Sequence, residues 1–262
     1  MWKWVVMSCL LLVRPAYAAE LQTVLVVSVD ALHPAALSEK TSPSLNALMR
    51  KGRYTLEGRS VTPPLTLIAH TAMMTGMSPA QNGKQDNAWR PGEPRVSSET
   101  LLDVAKQRGY GTAYFYAKPK LGYLVSANTD EHALARDDGV ERAQTFFSNP
   151  GARFVFLHIS GLEDAGSDSG WLSPEYLAEL THIDKALAPL LRQVASRGNY
   201  LIVVTSDHAG HARLHGTLDP EDFKLPVILA SNKALPAFGP GVFSITELKG
   251  LVQGLLASDS RR

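Results

Sequence analysis

Runs of consecutive apolar residues alternate along this chain with stretches patterned at helical spacing. Residues 23–29 read TVLVVSV, a β-branched run between polar neighbours, and predict a buried strand delivering Asp30 at its carboxyl end. Residues 112–116, 154–159, 200–205 and 225–230 predict further strands, and the run at 200–205 leads into Ser206-Asp207-His208. Helices are predicted at 43–51, with Ser42 as candidate N-cap and Gly52 as stop; at 69–75, ending at Gly76; and at 98–108, stopped by Gly109. The plainest helix follows Ser173, with Pro174 at its first position, Glu175 and Glu179 toward the positive end of its dipole, and Gly198 as terminator. Pro189 predicts a kink within it. Ser244-Ile245-Thr246-Glu247 forms a capping box that opens a last helix. A polar, glycine-rich loop is expected after residue 159, and residues 121–149, the least regular stretch, are read as a substrate-facing insertion.

Strands alternating with helices imply an α/β fold with a mostly parallel central sheet and helices on both faces. The continuous apolar character of the strands fits burial on both sides. Ligands of such sheets gather beyond the carboxyl ends of the strands. Asp30, Glu163, Asp164, Asp207 and His208 all fall just after strands, so the topology predicts that they cluster at one edge.

The first residues follow another pattern. Lys3 precedes a mostly apolar stretch at 4–13, and Ala16-Tyr17-Ala18 places small residues where a signal peptidase reads them. A secretory signal at 1–18 is expected, cleaved after Ala18 and followed by a single domain at 19–262. The apolar run is shorter than the ~20 residues a bilayer span needs. The expected location is the periplasm or the exterior, with no membrane span after cleavage.

Composition narrows the chemistry. The 262-residue length suits one α/β domain, and the formal net charge of +1 comes from scattered Lys and Arg. No nucleic-acid-binding surface is evident. Cys9, inside the expected signal, is the single cysteine. A thiol nucleophile and a cysteine-rich zinc site are thereby excluded, and any metal must be held by Asp, Glu, His or hydroxyl groups.

Two places carry candidate chemistry. Asp207-His208 joins a carboxylate to an imidazole, donors suited to zinc or manganese, and His215 follows after a short glycine-containing loop. Taken alone, such a pair also reads as a hydrogen-bonded turn. Thr66 sits just before a short helix, where free N–H groups can stabilise an oxyanion. Its hydroxyl is a weak nucleophile until a base or metal lowers its pKa, and taken alone it reads as a helix N-cap. Blander readings fit the rest. His33 lies in a turn, His132 and His158 have no nameable partner, His182 is packed or solvated, Trp89 stacks on a substrate or packs, and Lys118 and Lys120 face an anionic substrate or, as the blander reading, are solvated surface cations.

Val26 to Asp30, the helix Pro43-Ser44-Leu45-Asn46-Ala47-Leu48, and residues 66–83 resemble the nucleotide pyrophosphatase/phosphodiesterase (type I phosphodiesterase) branch of the alkaline phosphatase superfamily. Thr66, His70, Thr75 and Gly76 match that family's nucleophile segment, and Asp86-Asn87 matches the Asn that holds a phosphoryl oxygen. Thr205-Ser206-Asp207-His208-Ala209-Gly210 and His211-Ala212-Arg213-Leu214-His215-Gly216 match its metal-ligand segments. The resemblance implies Thr66 as nucleophile, a phosphothreonine intermediate, a small phosphorylated substrate, and two zinc ions. Asp30, Thr66, Asp207 and His208 would hold the first. His70 would brace the nucleophile segment, and Asn87 with the Thr66 amide would stabilise the equatorial oxygens.

The second ion normally takes an Asp, a His four residues later, and the late His, here His215. The stretch Glu163-Asp164-Ala165-Gly166-Ser167-Asp168 departs from that pattern. Alignment on Gly166, Gly170 and Trp171 puts Glu163 and Ser167 at the two positions, and a one-residue slide puts Asp164 and Asp168 there. Either register lacks the His. A carboxylate there would shift preference toward Mn2+, Mg2+ or Ca2+, and a Ser would weaken the site. One or two ions, and a catalytically weak relative that binds a phosphorylated ligand, therefore stay open. A sulfatase reading fails, because the Thr66 loop lacks the Cys/Ser-x-Pro-x-Arg context.

Overall fold

A computed structural model describes residues 21–258, so the expected signal at 1–18 lies outside the described residues. The chain forms β1 (Thr23–Val29), α1 (Pro43–Lys51), β2 (Arg53–Arg59), α2 (Thr66–Thr75), α3 (Pro79–Asn82), α4 (Leu101–Gln107), β3 (Gly111–Tyr116) and β4 (Glu131–Leu134). There follow α5 (Gly139–Ser148), β5 (Arg153–Ile159), α6 (Leu162–Ser169), α7 (Pro174–Ala195), β6 (Tyr200–Thr205), β7 (Lys224–Ser231), β8 (Phe243–Ser244) and α8 (Glu247–Ser258). The strands make one sheet in the order β4-β3-β5-β1-β6-β7-β2-β8. The block from β4 to β6 is parallel, while β7 runs antiparallel to both β6 and β2.

β1 shows why the sheet is doubly covered. Its side chains alternate, with Leu25, Val27 and Val29 in one core and Val24 and Val26 in the other. The first core is closed by α1, α5 and α7, through Leu45, Phe147 and Leu187. The second is closed by α2, α4 and α8, through Met73, Leu102 and Val252. At roughly 2 kcal/mol per fully buried large apolar side chain, these two layers supply most of what orders the chain.

Several elements differ from the sequence reading. The stretch after β5 is a helix, α6, where a glycine-rich loop was expected. Its Gly166 lets the indole of Trp171 pack against the backbone, since a Cβ there would lie 2.7 Å from Trp171 Cδ2. Tertiary packing thus overrides a weak local propensity. α4 begins at Leu101, because Thr100 and Asp103 form a capping box that the reading from Ser98 overlooked. Residues 121–149 supply an edge strand and the core helix α5, so they are part of the layer structure and not an insertion. Ser42 occupies the cap of α1 without a capping bond. Asp184 of α7 takes the task instead, accepting from the amides of Ser44 (3.0 Å) and Leu45 (2.9 Å).

Candidate active site

Three adjacent strands bring the site together. Asp30 follows β1, Glu163 sits on α6 just beyond β5, and Asp207 and His208 follow β6. The chain turns sharply after β1: Ala31 adopts a φ of 61°, a left-handed conformation costing a non-glycine residue about 1–2 kcal/mol. That turn aims the Ala31 amide at Asp207 Oδ1, 3.2 Å away. Ser206 Oγ receives the Leu32 amide at 2.9 Å and donates to the His208 carbonyl at 2.7 Å, locking the β1 and β6 loops together.

Asp30, Asp207 and His208 are fully buried. Their Oδ1, Oδ2 and Nε2 atoms respectively have no hydrogen-bond partner. Three orphaned ligand atoms are costly unless something electropositive joins them. His208 Nε2 lies 3.5 Å from Asp207 Oδ2 and 3.6 Å from Asp30 Oδ1. Its Nδ1 donates to the Ala209 carbonyl at 2.9 Å, which leaves Nε2 as the nitrogen that takes a ligand when it sheds its own proton. The donor set of two carboxylates and an imidazole fits a divalent ion such as zinc, and the Thr66 hydroxyl is linked to it through Lys118 Nζ, 3.4 Å away.

Thr66 is the first residue of α2, with Leu65 in the cap position, so its hydroxyl does not cap the helix. The residue is buried. His70, one turn on, holds the Thr66 carbonyl through Nδ1 at 2.7 Å and accepts from Ser28 Oγ through Nε2 at 2.9 Å. Burial pushes the His70 imidazole down to about 4, outweighing the pull of Asp207, so it is neutral and braces the turn. Asn87 Oδ1 accepts the Leu67 amide at 2.8 Å, which leaves its Nδ2 as a donor beside Thr66.

Lys118 is the largest departure from the sequence reading. It follows β3 and, far from being a solvated surface cation, has a side chain only 18% exposed. Its Nζ lies 2.5 Å from Asp30 Oδ2, 2.7 Å from Glu163 Oε2 and 3.4 Å from Thr66 Oγ1. Burial opposes the charge on Lys118, but Asp30, Glu163 and Asp207 overcome it and hold the ammonium above its ordinary range. Burial likewise would raise Asp30, yet Lys118, His158 and His208 keep it well below the usual carboxylate range. The position of Lys118 just beyond a strand is the same signal that singled out Asp30, and it was available in the sequence. His158 was missed too: its Nε2 lies 3.1 Å from Asp30 Oδ2 and its Nδ1 accepts the Ala117 amide at 3.2 Å. His33 bridges to Glu221 at 2.9 Å and only supports the loop.

The altered stretch resolves into one register. Glu163 points inward, with Oε2 3.5 Å from His208 Nε2 and 3.7 Å from His215 Nε2. Asp164 and Asp168 are exposed on α6 and are not brought to the cluster. Ser167 therefore stands where the resemblance expects a His. His215 stacks on His208, with ring centroids 5.0 Å apart and planes 3° from parallel. Trp171, wedged against Gly166 and Gly210, sits 5.7 Å from the His215 ring and ties α6 to the late-His loop.

Similarity to known proteins agrees with this fold. Solved structures share the fold at low identity. BT1596, a 2-O GAG sulfatase, aligns with a TM-score of 0.72 and 14% identity over 90% of this chain and 71% of its own. The lipoteichoic acid synthase LtaP from Listeria monocytogenes aligns at 0.69 and 16% identity, over 92% and 73% of the two chains. The C-terminal periplasmic domain of EptC from Escherichia coli, solved in complex with zinc, aligns at 0.66 and 17%, over 92% and 84%. Comparison with curated proteins returns no match. The family described as type I phosphodiesterase / nucleotide pyrophosphatase matches residues 24–223, a span that holds the Thr66 helix, Lys118, Glu163 and the late-His loop. The chain accordingly belongs to the type I phosphodiesterase / nucleotide pyrophosphatase family of the alkaline phosphatase superfamily.

Proposed function

We propose that this protein is an exported, metal-dependent hydrolase of phosphate esters that works through a phosphothreonine on Thr66. Members of its superfamily are metal-dependent hydrolases and transferases of sulfate or phosphate esters. The observation that carries the reading is a buried Thr66, whose hydroxyl has no capping role and lies 3.4 Å from the Lys118 Nζ that binds Asp30, together with three orphaned ligand atoms on Asp30, Asp207 and His208. These four residues would hold one divalent ion, with zinc the expected choice. When bound, it supplies Lewis acidity that lowers the pKa of the Thr66 hydroxyl.

The chain's own groups do the rest. As the first helical residue, Thr66 has an amide with no intrahelical acceptor. That amide and Asn87 Nδ2 are donors for the equatorial oxygens of phosphorus. The Thr66 Oγ–P bond forms as the P–O bond to the leaving alcohol breaks; the hydroxyl gives up its proton and the leaving oxygen gains one. Water then bonds to phosphorus as the Oγ–P bond breaks and the hydroxyl is restored. His70, neutral and doubly bonded, keeps the Thr66 backbone fixed through both steps.

The test is hydrolysis of bis-p-nitrophenyl phosphate, p-nitrophenyl phosphate and p-nitrophenyl sulfate with zinc, manganese, magnesium or calcium. Turnover of a phosphate ester that Thr66→Ala abolishes is the expected result. Metal binding without turnover under every ion would contradict it and leave a superfamily fold used for binding. Turnover of the sulfate alone would overturn the substrate class.

A further inference from the structure

We infer that the Lys118 ammonium permanently takes the place of the second metal ion, so that the site holds a single divalent ion. The inference rests on the proposed metal site and concerns what the chain does with its altered half.

Three observations converge. First, the two oxygens of Asp30 face different cations. Oδ1 is an orphan beside His208 Nε2 and completes the first ligand set, whereas Oδ2 is taken by Lys118 Nζ at 2.5 Å. The carboxylate thus joins an ion position to an ammonium. Second, the donors for another ion are insufficient. The possible ligand triplets are Asp30, Asp207 and His208 on one side, and Glu163, His208 and His215 on the other. Both need His208, whose Nδ1 is committed to the Ala209 carbonyl, so a single Nε2 must serve one or the other. With His208 in the first set, Glu163 and His215 remain, and Lys118 already binds Glu163 Oε2 at 2.7 Å. Ser167, one helical turn after Glu163 on α6, supplies no imidazole.

Third, the charges agree. Asp30, Asp207 and Glu163 bring three negative charges to the site, and Lys118 is the permanently charged side chain paired with them among the described residues. Among these directly paired groups two negative charges are left over, which one divalent ion neutralises, and Lys120, which interacts with the same three carboxylates, adds further positive charge against a second ion. A second ion alongside Lys118 would press two units of positive charge into a largely buried space, with the ammonium within ion-pair distance of two of the same ligands.

The test reads metal stoichiometry by elemental analysis and titration calorimetry, with zinc and separately manganese as probes, independent of turnover. Wild type is expected to bind one ion per chain. Ser167→His alone is expected to stay at one, because Lys118 still fills the position. The double variant Ser167→His with Lys118→Met, which removes the charge but keeps the length, is expected to bind two. Thermal unfolding and retention of the first ion show that each variant is folded, and the single variant Lys118→Met serves if the double one is not: it should admit a second, weaker ion through Glu163, His215 and Asp30. Two ions in wild type or in Ser167→His, or one ion in every Lys118→Met variant, would overturn the inference. Two ions with Thr66-dependent turnover would leave the proposed hydrolase intact, whereas one ion without turnover would sink the hydrolase and leave Lys118 in its place.

Discussion

Metal binding should expel a proton from His208. In the metal-free protein burial disfavours the imidazolium, but Asp207, Glu163 and Asp30 outweigh it and lift His208 to about 9. A ligand must present a bare Nε2, so the ion competes with that proton. At pH 7 the proton is favoured by about two pH units, which weakens the apparent affinity roughly 100-fold, or about 2.7 kcal/mol. The apparent dissociation constant should therefore fall about tenfold for each pH unit from 7 to 9 and level off above. Titration calorimetry in buffers of different ionisation enthalpy counts the protons released. The Thr66→Ala variant removes any contribution from the hydroxyl and should still release close to one proton per ion at pH 7. An affinity that is flat across this range, with no buffer-dependent heat, would refute the reasoning and place His208 outside the ligand set.

Further outcomes follow from the same contacts. Asn87→Ala removes the acceptor of the Leu67 amide and a donor for the phosphoryl oxygens, and kcat should drop about 100-fold or more while the metal content is unchanged. Gly166→Ala would place a Cβ 2.7 Å from Trp171 Cδ2; chemical denaturation should show a loss of about 1–3 kcal/mol. His70, buried and held at about 4 against an ordinary 6.5, gives stability that is complete above pH 6.5 and lost as pH falls toward 4. In chelator, urea denaturation should show about 3 kcal/mol of that loss in wild type and much less of it in His70→Gln.

Much of the fold was legible because its strands are buried on both faces and so spell continuous apolar runs, as β1 and β6 do. β2 was not, because its sequence RYTLEGR is mostly exposed and charged, and its strand state comes from pairing with β7. α6 was hidden for a related reason: LEDAGSDS has little helical propensity, and the Trp171 indole lying on Gly166 is a contact no local pattern records. At the site, Asp30, Asp207 and His208 could be placed together because each follows the carboxyl end of a strand, whereas Thr66 joined them only through the family resemblance. The register around Glu163 could not be chosen from spacing, since Glu163/Ser167 and Asp164/Asp168 share the same four-residue interval; only the inward face of α6 separates them. Solvation was the favoured reading of Lys118, ahead of a substrate-facing one, because a lone lysine is solvated far more often than not. Its burial depends on Asp30 and Glu163, which lie on other strands and are distant in sequence.

The central claim is that Thr66 carries the phosphoryl group. The most direct measurement is rapid acid quench of the zinc-loaded protein during turnover of an aryl phosphate ester, followed by peptide mass spectrometry. One phosphoryl group on Thr66, absent from Thr66→Ala and from the chelated protein, is the expected result. Turnover with no modified Thr66 under quench, or a phosphoryl group on any other residue, would contradict it.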